Sequence, residues 1–284
     1  MRMIILVAAG LALTASVAAA AVEPRSIDGS DPAKWDRKLD GLVAAPATHM
    51  LHYESPTVRV YSVNTWRNGT EPFHLHPYFS VLVIDTPFAA PPGSGVNRDL
   101  AGKPIPALVL DTAPSPLVNI LPPQGPHAID NTGPVDGHMI RVDFKTAGHP
   151  SKITRTWGDG PMPISTDGSD PKTWRASQAG WNAARATDKI LWRDDKVRVT
   201  SVTIPPGGQQ ADHVIPYPSV LVVDEAAAHV IRRQGQPDLS VPAAGPQVLL
   251  SPPEHSHSIR NIDRKPFHMI RVEFLQGFPA PARR

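Results

Sequence analysis

Apolar side chains recur at every second position along several short stretches of this 284-residue chain. Val58, Val60 and Ser62 alternate with Arg59, Tyr61 and Val63, and Val81 and Val83 alternate with Ser80, Leu82 and Ile84. A period of two sends successive side chains to opposite faces of an extended chain, so each stretch predicts a β-strand. Ala107 to Leu110, Val118 to Leu121 and His138 to Phe144 continue the series. Short β-branched runs at roughly ten-residue spacing, broken by Pro and Gly clusters, predict an antiparallel sandwich or barrel. No stretch has the length and 3.6-residue period of a βαβ helix, which leaves an all-β chain. The 33 prolines and 20 glycines follow no period and act as punctuation between strands.

The pattern is written twice. Asp28-Gly-Ser-Asp-Pro-Ala-Lys-Trp35 returns as Asp167-Gly-Ser-Asp-Pro-Lys-Thr-Trp174, Val58–Val63 as Val197–Val202, and Ser80–Asp85 as Ser219–Asp224, always 139 positions later. His138-Met-Ile-Arg-Val-Asp-Phe144 returns as His268-Met-Ile-Arg-Val-Glu-Phe274, 130 positions later, so the first copy carries nine extra residues after Asp85. Two tandem domains follow, over 26–148 and 165–278, with a linker at 149–164 and a disordered tail at 279–284. Each copy opens with a helix start: Asp31 or Asp170 as cap and Pro32 or Pro171 behind it, which predicts a short helix to about Leu39 in the first copy.

Composition narrows the setting. Arg2, the apolar run from Ile4 to Leu13 and Ala18-Ala-Ala20 form a signal peptide over 1–20, which predicts a periplasmic or secreted protein with no integral membrane domain after cleavage. The chain has no cysteine, which removes disulfides and thiolate metal sites. Lys and Arg number 28 against 26 Asp and Glu, without a basic run, which argues against a nucleic-acid partner.

The candidate chemistry lies in histidines. His74 and His76, two apart at a strand entrance, aim their rings to one side, and His127 enters about fifty residues later in Gly125-Pro-His-Ala-Ile-Asp-Asn131. Three neutral imidazoles converging inside a barrel suit one divalent transition metal, Fe, Mn, Zn or Ni, with open positions for water or substrate. Tyr78, two beyond His76, is a candidate proton donor, and Arg141 a candidate contact for a substrate carboxylate. His138 and His268, retained in both copies, are assigned to the scaffold.

Gly69, His74, His76, His127 and Asn131 together resemble the two motifs of the cupin superfamily, and His213, Ile215, His257 and Asn261 repeat the frame. The resemblance implies two tandem cupin-type antiparallel β-barrels, of double-stranded β-helix or jelly-roll form, each with a short N-terminal helix. The family's glutamate ligand falls at Ser80 and Ser219, so copy one keeps three histidines without that carboxylate, similar to cupins with a three-histidine iron centre. In copy two Ile215 replaces the middle ligand, and His213, His255 and His257 form a second candidate metal set, with Glu254 beside them. The resemblance implies a metal-dependent dioxygenase, isomerase or lyase acting on a small molecule, oxygenase chemistry first, and the missing carboxylate leaves a more positive site that favours a carboxylate-bearing one. The competing reading is a non-catalytic ligand-binding or structural bicupin.

Overall fold

The computed structural model describes residues 26–86, 95–105, 117–146, 148–157, 170 and 186–277. The expected signal segment, the expected strand Ala107 to Leu110, the expected helix start after Asp170 and the expected tail lie outside the described residues.

The described residues are mostly β, in sheets that are antiparallel but for one edge strand, and the period-two stretches fall on strands. In the first repeat the long sheet runs in the order His49–Glu54, Val58–Thr65, Gly137–Phe144, Phe79–Thr86, Leu117–Leu121. A second sheet orders Gly69–Thr70, Gln124–Asn131, Gly95–Arg98 and Pro104–Ile105, and His74–His76 also pairs with Gln124–Asn131. The second repeat copies this plan. Its long sheet orders Gln247–Ser251, Ser219–Glu225, Phe267–Phe274, Val197–Ile204 and Thr187–Arg193, and its short sheet joins Gln209–Ile215, Glu254–Asn261, His229–Arg233 and Leu239–Val241. The expected linker contributes a strand of its own. Ile153–Arg155 pairs parallel with Gln247–Ser251 on the edge of the second long sheet.

Register matches the copies residue by residue. Met139 faces Val63 as Met269 faces Val202, and Glu71 N donates to Ile129 O where Gln210 pairs with Ile259. The expected single helix near Pro32 is instead two 3₁₀ turns, Pro32–Lys34 and Arg37–Leu39, followed by an α-helical turn at Gly41–Ala44. Asp31, Asp36 and Asp40 each accept from the backbone N–H two residues on, and three successive caps restart the chain before any longer helix forms.

Both faces of each long sheet are buried, for different reasons. Tyr61, Val63, Leu82, Ile84 and Met139 point inward, toward Ile129 of the facing sheet. Val58, Val60, Val81, Val83, Ile140 and Val142 point outward and pack in one cluster with Val197, Val199, Val220, Val222, Ile270 and Val272 of the other repeat. The seam is pseudo-twofold. Tyr53 stacks on His268, and its counterpart Trp192 meets His138. His138 Nδ1 bonds Asp85 (2.6 Å) and His268 Nδ1 bonds Asp224 (2.5 Å), so these retained histidines serve the junction. No helix among the described residues is long and apolar enough to cross a membrane.

Candidate metal centre

Four buried histidines meet inside the first repeat. His74 and His76 stand on one strand with ring centroids 4.9 Å apart. His74 lies in register with His127 and their rings are 4.6 Å apart, while His76 and His127 are separated by 5.3 Å. A register shift between His74 and His76 marks a bulge, a device that re-aims side chains at functional sites. The fourth ring belongs to His49, at the start of the strand behind the short helix, 4.6 Å from His74 and 5.4 Å from His76. Among the described residues, His49, His74 and His76 form the one group whose ligand atoms all lie within 4.8 Å of one another.

The close fit depends on Gly41. A Cβ there would sit 2.9 Å from His49 Cδ2, so that ring would have to shift, and 3.2 Å from His76 Cε1, a tight contact.

Hydrogen bonds fix the tautomers. His74 Nδ1 donates to Pro72 O and His127 Nδ1 to Gly125 O, each at 2.8 Å, because a carbonyl can only accept. The Thr48 hydroxyl donates to Ala45 O and therefore accepts from His49 Nδ1 (3.0 Å). Tyr61 donates to Asp143 Oδ2 and accepts from His76 Nδ1, both at 3.1 Å. All four protons thus sit on Nδ1, leaving four Nε2 lone pairs. Those of His49 and His74 are buried without any hydrogen-bond partner.

The rings are also held neutral. Burial, then Arg141, pushes His49 down to about 3; burial, then His49, does the same to His74; burial, then His74, to His127. His76 is lowered by burial and then by Arg141. Four neutral imidazoles, each with its Nε2 lone pair uncommitted to a proton, are what a borderline metal ion binds, and the residues fit that group.

A carboxylate is present after all, at a position the motif comparison does not reach. Glu71 is buried, and its Oε2 lies 3.8 Å from His74 Nε2. Neither carboxylate oxygen has a hydrogen-bond partner. Burial pushes its pKa up to about 8, against an opposing contribution from Thr48, whose hydroxyl is engaged with Ala45 and His49. Ser80 and Ser219, where the family pattern places its glutamate, are buried with unpartnered hydroxyls.

Arg141 lies beside this cluster, buried, with Nε on Asp143 (3.1 Å) and Nη1 on Gln124 (2.6 Å), and its Nη2 has no partner. Tyr78 does not join the histidines in any described contact. Arg59 stacks over it at 4.9 Å, and the phenol that meets the cluster is Tyr61. A cavity of about 220 Å³, lined by Asp28, Asn97, Asp99 and Gln124 among others, reaches the cluster at His127 alone.

The second repeat keeps one pair only. His213 and His257 lie in register with rings 4.3 Å apart, and Ile215 is buried where His76 stands. His255 supplies its backbone carbonyl, which accepts from His257 Nδ1 (2.9 Å). Among the described residues, His213, His255 and His257 form no group of the kind found in the first repeat. Asp188 and Gln210 occupy the places of His49 and Glu71, and Asp188 is tied to Arg271 (3.3 Å) and Gln210 (3.1 Å).

No family model and no curated protein matches this chain. Among solved structures it is similar to a cupin domain from Bordetella pertussis Tohama I, at 18% identity over 32% of this chain and 93% of that one, with a TM-score of 0.30. A cupin 2 conserved barrel domain protein from Leptotrichia buccalis aligns over 80% of this chain and 88% of its own, at 10% identity and a TM-score of 0.27. A DMSP lyase from Ruegeria pomeroyi DSS-3 aligns over 36% of this chain and 55% of its own, at 19% identity and a TM-score of 0.28.

Proposed function

We propose that this chain is an exported metalloenzyme of the bicupin type, with a divalent transition metal in the first repeat and a small, carboxylate-bearing substrate. The observation that supports it best is the convergence of neutral imidazoles with free Nε2 lone pairs: His49, His74 and His76 as ligands, and His127 against them. Leaving such lone pairs buried and unpaired costs about 1–3 kcal/mol each, a cost a bound cation removes. A metal there supplies a Lewis acid for a substrate oxygen or for dioxygen.

The remaining work falls to the chain. Asp143, through Tyr61, keeps the His76 proton on Nδ1. Glu71 holds a proton near His74 at neutral pH and is placed to exchange it with a bound molecule. The free Nη2 of Arg141 offers a buried donor to a substrate carboxylate. Asp28 and Asp99, which line the neighbouring cavity, spend their charge on their own turns, Asp28 on Ser26 and Ser30 and Asp99 on the Ala101 and Lys103 amides. Export rests on Arg2, the apolar run Ile4 to Leu13 and Ala18-Ala-Ala20, and places the mature protein in the periplasm or outside the cell.

The test is substitution mapping on folded protein. His49→Ala, His74→Ala and His127→Ala should each lose metal, whereas His213→Ala should retain it in full. Loss of metal on the His213 change alone would move the centre to the other repeat and overturn the assignment.

A further inference from the structure

The two repeats share a backbone plan, yet their interiors have opposite character. The second encloses a cavity of about 470 Å³, within the roughly 300–1,000 Å³ of small-molecule sites. Ile215, Ile231, Leu249, Phe267 and Met269 supply much of its wall. Register shows which of its apolar side chains stand at smaller or polar positions of the first repeat. Ile231 faces Ile259 as Asn97 faces Ile129, so an isoleucine stands for an asparagine of the first repeat's cavity. Ile215 pairs with Glu254 as His76 pairs with Gln124, and Phe267 pairs with Ile204 as Gly137 pairs with Thr65. Three positions of the first repeat have become large and apolar together. A degenerate domain kept only for packing would be expected to fill its interior; this one encloses apolar space.

Thr156, His229, Gln236 and Gln247 add neutral polar groups to the wall, and its opposite charges, Arg233 and Glu254, neutralise each other. Arg233, in register with His257, donates to Glu254 Oε2 (3.3 Å), and Glu254 Oε1 accepts from Ser251 (2.5 Å). His257 gives its Nδ1 proton to His255 O, which leaves Nε2 as an acceptor. A wall of this kind penalises a charged guest, which gains no uncompensated counter-charge, and rewards an apolar body with one donor.

We propose that the second repeat is a binding site for an uncharged, mainly hydrocarbon small molecule carrying one hydroxyl or N–H donor, seated with that donor toward His257, Arg233 and Glu254. This site is separate from the metal centre and stands whether or not the first repeat binds metal.

The experiment uses the full-length chain and N-phenyl-1-naphthylamine, a neutral apolar fluorophore with one N–H, beside its sulfonated analogue 1-anilinonaphthalene-8-sulfonate. The neutral probe should bind saturably at one per chain, and the sulfonate at least tenfold more weakly. Ile231→Asn, which copies the first repeat, and Leu249→Trp, which fills the cavity, should each weaken the neutral probe at least tenfold while metal content and the circular dichroism spectrum stay unchanged. Asn97→Ile, the reciprocal change, should leave the affinity for the neutral probe as it is. The proposal is overturned if the neutral probe does not bind, if its affinity is the same in wild type and in whichever of the two cavity variants folds, or if the sulfonate binds as tightly.

Discussion

Replacing Glu71 by Gln isolates the electrostatic cost of the centre. The carboxyl is buried, and burial carries its pKa from 4.5 to about 8. Between those values the unfolded chain has released a proton that the fold still holds. Stability of the metal-free protein must therefore fall as pH rises through this window. At about 1.4 kcal/mol per pH unit, the loss attributable to Glu71 is about 3 kcal/mol by pH 7, and it levels off above pH 8. Glutamine is neutral throughout and has the same shape. Gln210 already occupies the equivalent place in the second repeat, its Nε2 bonded to Asp188, and the bare His74 Nε2 near Glu71 offers the introduced amide a comparable acceptor. The difference between Glu71→Gln and wild type, from urea unfolding in chelator at several pH values, should be small near pH 4.5 and grow in favour of the variant to about 3 kcal/mol at pH 7. Curves for the two proteins that run parallel from pH 4.5 to 8 would refute the reasoning, because they would mean that Glu71 is ionised in the fold.

Tyr61→Phe removes both the acceptor of the His76 Nδ1 proton and the link to Asp143, and should weaken metal binding roughly 10- to 100-fold in chelator competition without unfolding the protein. Gly41→Ala places a methyl 2.9 Å from the His49 ring and should displace it, lowering metal affinity while leaving binding of the neutral probe by the second repeat unchanged. His49, His74, His127 and His213 are held at about 3, well below the ordinary 6.5, so the stability they confer is complete above pH 6.5 and is lost as pH falls toward 3. These four rings should together contribute an uptake of roughly three to four protons on unfolding of the metal-free protein near pH 5, read as the part of the slope of stability against pH that His→Gln variants at these positions remove; variants that leave the slope unchanged would contradict neutral burial of these rings.

Strands, repeats and the placing of His74, His76 and His127 were legible because they depend on local spacing. A period of two fixes the face, and a His-x-His pair needs nothing distant to converge. His49 and Glu71 were not legible from the motif, since they reach the centre through the fold, His49 from the strand behind Gly41–Ala44 and Glu71 from the segment before His74. A signal was available in the repeat itself. At the step of 139, His49 answers Asp188 and Glu71 answers Gln210, exchanges of chemistry within an otherwise held frame. Tyr78 shows the limit of counting along a strand, because the strand ends at His76 and the Tyr78 ring lies under Arg59. The outward valines carried no sign of their partner; only the packed seam shows that both faces of each long sheet are buried.

Metal analysis of the purified, mature wild-type chain tests the central claim most directly. Four neutral imidazoles with free Nε2 lone pairs predict close to one transition-metal ion per chain, removed by chelator with a fall in thermal stability. A metal-free protein whose stability is indifferent both to chelator and to added Fe, Mn, Zn or Ni would contradict the account.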